Sequence, residues 1–396
     1  MRFSAIAAVT LVTALSACNG ATNSLPAGSA ASPIGPTAAH GDLWPRPGPA
    51  VQVCGAVPAG FARCLAWRRT DISGKISKDA TPSGYGPSSL QTAYNLTAYS
   101  QSNGSGQTVA IVDAYDDPNA ASDLSTYRAQ YGLPACTTAN GCFSKQAYTT
   151  TTNAGWAEEE SLDVDMVSAI CPNCKIILVE ASSASTAALA TAETYATSHA
   201  NYVSNSWSGN EGTKTYDGDF NVAGVAITAA TGDSGYNRTA QWPAILPTVI
   251  GVGGTTLSAV SPRTETVWSG AGSGCSKVYA QPSFQSGLST GCTKRAEADV
   301  SAVANPNTGV AVYDSFHESG WLVFGGTSVA TPITASVFAL AGNTSTNNPG
   351  NLYSHTANLN DITSGSNGSC GAPLCKAGTG WDGPTGLGTP NGIAAY

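Results

Sequence analysis

From about Leu90 onward, short unbroken apolar runs alternate with longer stretches in which apolar and small residues return every three to four positions. The runs Gln107 to Ala114, Lys175 to Glu180, Tyr202 to Trp207, Val225 to Ala230 and Thr248 to Val252 predict strands. The stretches 120–131, 157–170, 186–200 and 327–341 predict helices. Strands that are apolar throughout, with no polar face, must be covered on both sides, and helices between them supply the cover. The pattern therefore predicts an α/β fold with a mostly parallel β-sheet and helices on both faces. In such sheets ligands gather at the loops beyond the carboxyl ends of the strands. The segments Ser206-Trp207-Ser-Gly209, Thr231-Gly-Asp233-Ser-Gly235 and Gly325-Gly-Thr-Ser328 fall there.

The chain before Leu90 has a different texture. Arg2, an apolar run from about Ala5 to Leu15 and then Leu15-Ser-Ala-Cys18 read as a signal peptide over 1–17, too short to span a bilayer. The tetrapeptide is similar to a bacterial lipobox, which makes Cys18 a lipidation site and places the protein outside a bacterial cell, held at the envelope or secreted. Residues 18–82 are rich in Pro, Ala and Ser and read as a tether containing a small Cys54–Cys64 segment, ahead of a domain over 83–396. Setting Cys18 aside, the other cysteines fall into neighbouring couples: Cys54/Cys64, Cys136/Cys142, Cys171/Cys174, Cys275/Cys292 and Cys370/Cys375. Local disulfides in an oxidising compartment are the economical reading. Cys171 and Cys174 as half of a redox or zinc site would lack the second CxxC or His pair.

Composition removes other classes. With a formal charge of −8 and 11% charged residues there is no basic face for nucleic acid, and 42% hydrophobic residues exclude a disordered chain. Membrane contact is expected only through the N-terminal anchor, and a monomer is expected.

The chemistry lies in two places. In Trp156-Ala-Glu-Glu-Glu-Ser-Leu-Asp163, Glu159 and Asp163 are four apart, so a helix points both carboxylates the same way. Far downstream, Gly325-Gly-Thr-Ser328-Val-Ala-Thr-Pro332 sets a hydroxyl where a helix begins. A serine nucleophile needs a base, and none of the four histidines, His40, His199, His317 and His355, has the surroundings of a serine-hydrolase histidine. The paired carboxylates are the substitute. The bland readings are a solvated acidic helix face for the Glu158–Glu160 run, a turn cap for Asp233 and a helix cap for Ser328. Asp165 reads as a solvent or capping residue and Asp113 as structural.

Taken in order, these motifs resemble the sedolisin family of serine-carboxyl peptidases. The likeness covers about residues 83 to 396 and includes Leu90-Gln-Thr-Ala-Tyr-Asn95, Ser204-Asn-Ser-Trp207, Trp242-Pro-Ala244, Gly251-Val-Gly-Gly-Thr255 and Trp381-Asp-Gly-Pro-Thr-Gly-Leu-Gly388. The resemblance implies a subtilisin-like fold and an acid-acting endopeptidase on polypeptides. Ser328 would be the nucleophile, Glu159 its general base, Asp163 the partner that orients Glu159 and shares its proton, and Asp233 a member of the oxyanion hole. It further implies one structural Ca2+ held by Asp361 and Asp382 with the carbonyls of Ile362, Gly378 and Gly380, an all-oxygen shell of the kind calcium takes. The edge at Ser206, Trp207 and Gly209 would pair with an extended substrate. A carboxylate base still works at roughly pH 3 to 5, where imidazole is protonated, so the optimum is expected there. Members of the family usually carry a large N-terminal prodomain, whereas about sixty residues separate Cys18 from the domain expected here; the expectation is that either Cys54 to Arg69 is a reduced inhibitor or the enzyme needs none. The competing readings are a catalytically silent peptide-binding lipoprotein of the same fold and a carboxylate-pair glycosidase, which would leave Ser328 without a task.

Overall fold

The computed structural model describes residues 48–74, 80–212, 214–236, 240–343 and 348–396. The signal peptide, Cys18 and most of the expected tether lie outside these residues.

The central sheet runs in the strand order Arg263–Val267, Ile250–Val260, Ala226–Ala230, Tyr202–Asn205, Thr108–Ala114, Lys175–Ala181, Phe143–Ala147, with Val300–Val303 also paired to Ile250–Val260. All of these pairings are parallel except that of the edge strand Arg263–Val267. Thr108–Ala114 shows why both faces are covered. Its side chains alternate, sending Val109 and Ile111 into one hydrophobic core and Ala110, Val112 and Ala114 into the other. Helices Ala154–Ile170 and Thr327–Ala341 belong to the first core and helix Thr186–His199 to the second. After Thr108–Ala114 the chain builds outward to one edge and then returns to build the other side from Tyr202–Asn205, which leaves a crevice at their carboxyl ends.

The expected elements are present with small differences. The predicted strand Tyr202 to Trp207 stops at Asn205, and a separate strand Trp207–Asn210 leaves the sheet after Ser206. The strand expected over 248–252 continues to Val260, where polar residues alternate outward beside the antiparallel edge.

Residues within the expected tether also carry strands: Ala50–Gln52, Arg63–Cys64 and Trp67–Gly74. Ala50–Gln52 and Trp67–Gly74 pair with each other and join Gly320–Gly325 and Val310–Asp314 in a second, antiparallel sheet. Pairing at this range is set by residues more than two hundred positions away, so local texture does not announce it. All five expected disulfides are formed.

Candidate active site

Helix Ala154–Ile170 starts at Asn153, whose side chain accepts from Trp156 N at 3.2 Å, satisfying one of the free amides of the first turn. It runs beside helix Thr327–Ala341, and every residue from Trp156 to Ile170 is buried. The acidic run is therefore no solvated face. Glu158 is ion-paired with Arg68 at 3.0 Å, and Glu159, Glu160 and Asp163 are all 0% exposed. Asp165 is buried too and accepts from Tyr313 N at 2.9 Å, so the solvent reading of this residue is corrected.

Helix Thr327–Ala341 follows Gly326, whose φ of 102° is one a side chain would strain. Its first amide, Thr327 N, donates to Asp233 Oδ1 at 2.8 Å, and the Thr327 hydroxyl donates to the same oxygen at 2.8 Å. Pro332 has no N–H to give back to the carbonyl four residues earlier, and the Ser328 carbonyl is instead 3.3 Å from the Ser206 hydroxyl. That hydroxyl also reaches Asp163 Oδ1 at 2.8 Å. The Ser328 hydroxyl, itself buried, donates to the Ser206 carbonyl at 3.1 Å.

Glu159, Asp163, Ser328, Asp233 and Ser206 thus meet at the carboxyl ends of the central strands, although they come from four separate segments. Burial holds Glu159 well above the usual carboxyl range; the Asp113 and Asp233 charges add to the rise, while the Ser328 hydroxyl and the Ala66 amide oppose it. Asp163 is raised by burial, then by Asp113 and Glu159, against the Ser206 hydroxyl. Two acids so placed titrate as one unit. Asp233 is pushed up to about 7 by burial, opposed by both Thr327 donors, Arg63 and Trp67. Its Oδ1 takes the two Thr327 bonds and its Oδ2 takes none, so below that pH the proton rests on the free oxygen, a donor without a partner. The described histidines, His199, His317 and His355, are exposed and stand by none of these groups.

Asp113 is the residue that the sequence reading undervalued. It is fully buried at the end of Thr108–Ala114, neither of its oxygens has a hydrogen-bond partner, and its charge is the largest electrostatic influence on both Glu159 and Asp163. A polar residue closing an apolar strand was the available signal.

The residues of the expected substrate edge stand where the chain leaves the main sheet for the short strand Trp207–Asn210. Ser206 ends the main sheet, Trp207 is buried with its indole N–H on the Val112 carbonyl at 2.8 Å, and Gly209 pairs with Trp242. The other side of this short strand is taken by the chain itself: Arg63 pairs with Ser208 and Cys64 with Trp207, antiparallel.

The calcium candidates lie elsewhere, in the C-terminal turns. Asp382 is buried, with Oδ1 on Thr385 and Oδ2 without a partner; burial raises its carboxyl to about 7, with a smaller contribution from the Asp361 charge. Asp361 is exposed and takes the Gly380 amide at 2.9 Å. The carbonyls of Ile362, Gly378 and Gly380 accept no backbone hydrogen bond among the described residues. Among the described residues no group of three His, Cys, Asp or Glu side chains is placed to hold a metal. An ion would rest on two carboxylates and backbone oxygens, a donor set that suits calcium.

The sequence profile described as the subtilase family matches residues 147–368. Kumamolisin of Bacillus sp. (strain MN-32) is 30% identical over 365 residues, covering 80% of this chain and 64% of that protein. Sedolisin of Pseudomonas sp. (strain 101) is 36% identical over 177 residues, 39% of this chain and 29% of the relative. The chain thus spans less than two thirds of the length of these relatives. Among solved structures, Pseudomonas sedolisin, a serine-carboxyl proteinase complexed with two molecules of pseudo-iodotyrostatin, matches with a TM-score of 0.67 and 25% identity over 79% of this chain and 96% of that one.

Proposed function

Since this chain belongs to the sedolisin family within the subtilase fold, we propose that it is an acid-acting serine endopeptidase that hydrolyses polypeptides through Ser328, Glu159, Asp163 and Asp233. The observation that carries the reading is the convergence of a buried hydroxyl, a raised carboxyl pair and an unpaired Asp233 oxygen, with no imidazole beside them among the described residues.

In this mechanism a substrate strand lies along Trp207–Asn210 in the place that Arg63 and Cys64 hold in the structure, paired with that edge and with the Ser206 carbonyl. Ser328 Oγ attacks the scissile carbonyl carbon while its proton passes to Glu159. The oxygen that gains charge faces Asp233, which donates a hydrogen bond only while protonated. Glu159 returns the proton to the departing amine, leaving an ester on Ser328. Water then attacks the ester and gives its proton to Glu159, from which Ser328 recovers it. Asp163 acts by holding the single proton of the pair, which leaves Glu159 ionised to accept the one from Ser328. The Ser206 hydroxyl fixes both Asp163 and the backbone of Ser328.

The direction of the pH dependence follows from Asp233. Rising pH removes its proton at about 7 and turns a hydrogen-bond donor into a repelling charge. Cleavage of an acid-denatured protein at graded pH is therefore expected to fall about tenfold per unit above 7. In Asp233→Asn the amide keeps a non-titrating donor, so the fall moves to higher pH. Undiminished cleavage by the wild type at pH 9, or an Asn variant with an unshifted profile, contradicts the role given to Asp233.

The reading extends to two further parts. Asp361, Ile362, Gly378, Gly380 and Asp382 would hold one structural Ca2+, which supplies charge to offset the two carboxylates and takes no part in the reaction. Added Ca2+ should raise the melting temperature by several °C, as binding at 100 Kd contributes about 2.7 kcal/mol. Asp382→Asn should abolish the shift; calorimetric titration showing no Ca2+ binding to the wild type speaks against the site. At the other end, Leu15-Ser-Ala-Cys18 supports export with a lipid on Cys18.

A further inference from the structure

The strand edge offered to a substrate does not end in a wall. At Asn210 it opens into a cavity of about 260 Å³ bordered by Thr186, Tyr216, Asp217 and Trp242. Tyr216 is also one side of a second hollow, of about 470 Å³, that runs along the outer side of helix Thr186–His199. Sharing that ring, the two make one furrow from the end of Trp207–Asn210 toward Ser198. A substrate paired antiparallel with Trp207–Asn210 has its amino-terminal part at Asn210, so the furrow lies upstream of the bond to be cut.

The floor of the second hollow is Ala187, Ala190, Thr191 and Thr194, three or four positions apart and therefore on one side of the helix. The Thr191 and Thr194 hydroxyls donate to the Ala187 and Ala190 carbonyls, both at 3.0 Å, and the Ser198 hydroxyl donates to the Thr194 carbonyl at 2.9 Å. Their hydrogens are turned back on the helix, and the floor meets a ligand with methyl groups. Tyr148, which is 41% exposed, stands beside it with Tyr195 and Tyr216. The Tyr195 ring is stacked on His199, centroids 3.9 Å apart and planes 18° from parallel. Asp219 at the rim is 3.1 Å from the Thr194 hydroxyl, a bond that ties the turn Asp217–Phe220 to the helix.

A ligand for this trough must lay apolar surface on tyrosine rings and bring few N–H groups. Proline meets both demands: it has no N–H, and a polyproline II chain is extended before it binds, which is how aromatic-lined grooves take such segments. From Ala187 to Ser198 the helix rises about 17 Å, the length of about five residues of polyproline II. A sugar chain would look for hydroxyl partners that this floor has already committed.

We propose that the second hollow is an exosite that holds a proline-rich polypeptide segment upstream of the bond cut at Ser328. This rests on the peptidase reading above and adds to it a class of substrate, extended chains with proline-rich sequence on the amino-terminal side of the cut. Placed there, the prolines stay clear of Trp207–Asn210, where strand pairing requires amides.

The test uses one core peptide, a sequence that the wild type cuts in an acid-denatured protein at pH 4. It is made alone, with Pro-Pro-Ala-Pro-Pro-Ala attached to its amino end through about eight Gly and Ser residues, and with Gly and Ser throughout the extension. Such a linker spans roughly 16 Å. The proline-extended peptide is expected to have a KM at least about fivefold below that of the Gly/Ser-extended one, with kcat little changed, because the second contact makes the first intramolecular. Thr191→Arg, which fills the floor, and Tyr195→Ala should abolish the difference and leave cleavage of the bare core unaltered. Tyr195→Phe keeps the ring and should stay near wild type. Fluorescence anisotropy of labelled Pro-Pro-Ala-Pro-Pro-Ala reads binding without turnover: Ser328→Ala should bind it, and Ser328→Ala carrying Thr191→Arg should not. Equal KM values for the two extensions, or a preference that survives Thr191→Arg, overturn the inference and leave the peptidase reading standing. Tyr195-dependent binding of cellohexaose in place of the proline peptide assigns the hollow to a sugar chain and overturns it as well. If the wild type cuts neither peptide nor protein, the peptidase reading is lost and with it the exosite, whatever the anisotropy shows of the hollow.

Discussion

Replacing Ser328 by Ala should lower kcat on an acid-denatured protein at pH 4 by about 10⁴-fold or more, and Glu159→Gln should cost nearly as much. The two losses should not add, because nucleophile and base act as a unit: a base with no hydroxyl to deprotonate contributes nothing, and the reverse holds too. Gln keeps the size of Glu159 and can still accept the Ala66 amide, so the loss reports the missing proton transfer rather than a disturbed fold. Asp163→Asn should fall between wild type and these variants, since it removes the shared proton but keeps a partner for the Ser206 hydroxyl. Initial rates after identical acid incubation, with the melting temperature as a control, decide the matter. Three proteins of equal activity would remove Ser328 and Glu159 from the reaction altogether.

The second large effect concerns stability, and it runs against the usual expectation for acid. Burial raises Asp117 to about 6, Glu158 and Asp233 to about 7, and Glu180, Glu193 and Asp314 to about 8. The same cause raises Asp113, Glu160, Asp165 and Glu297. A carboxyl whose folded pKa lies above its unfolded value binds more protons folded than unfolded. Its stabilising contribution is complete below the unfolded value near 4 and is lost as pH rises through the folded one, here over the span from about 4 to 8. Each extra proton the fold retains makes a slope of about 1.4 kcal/mol per pH unit. Two retained protons give a fall in melting temperature on the order of 5 °C per unit for a domain of this size. Calorimetry from pH 4 to 8 should show that decline. Glu193→Gln, on helix Thr186–His199 and outside the catalytic set, should raise the melting temperature at pH 8 and leave it nearly unchanged at pH 4. A flat or rising curve in the wild type refutes the account.

What could be read from the chain follows a physical rule. The strands and helices of the central sheet were legible because their cores are built from neighbours in sequence: Thr108–Ala114 is apolar on both faces whatever it pairs with. Glu159 and Asp163 were legible because helical spacing alone aligns them. Thr231 to Gly235 and Gly325 to Ser328 were marked by glycines where backbones approach closely, as Gly326 does against the Leu65 carbonyl. Asp113 stood out only as a polar residue closing an apolar strand; its influence was not legible, since the groups that give it meaning, Glu159 and Asp163, arrive from another element. The strands between Ala50 and Gly74 were hidden for the same reason. They are short and partly polar, and they owe their conformation to partners at Ser208, Trp207 and Gly320 to Gly325.

The five bridges join cysteines separated by 10, 6, 3, 17 and 5 residues. At such separations the correct thiol is the nearest one even in a chain with no tertiary structure, because closing a short loop costs little entropy. Oxidation therefore faces little risk of scrambling and need not wait for the sheet to assemble. The bridges fasten individual turns, and the long-range order of the molecule depends on packing alone.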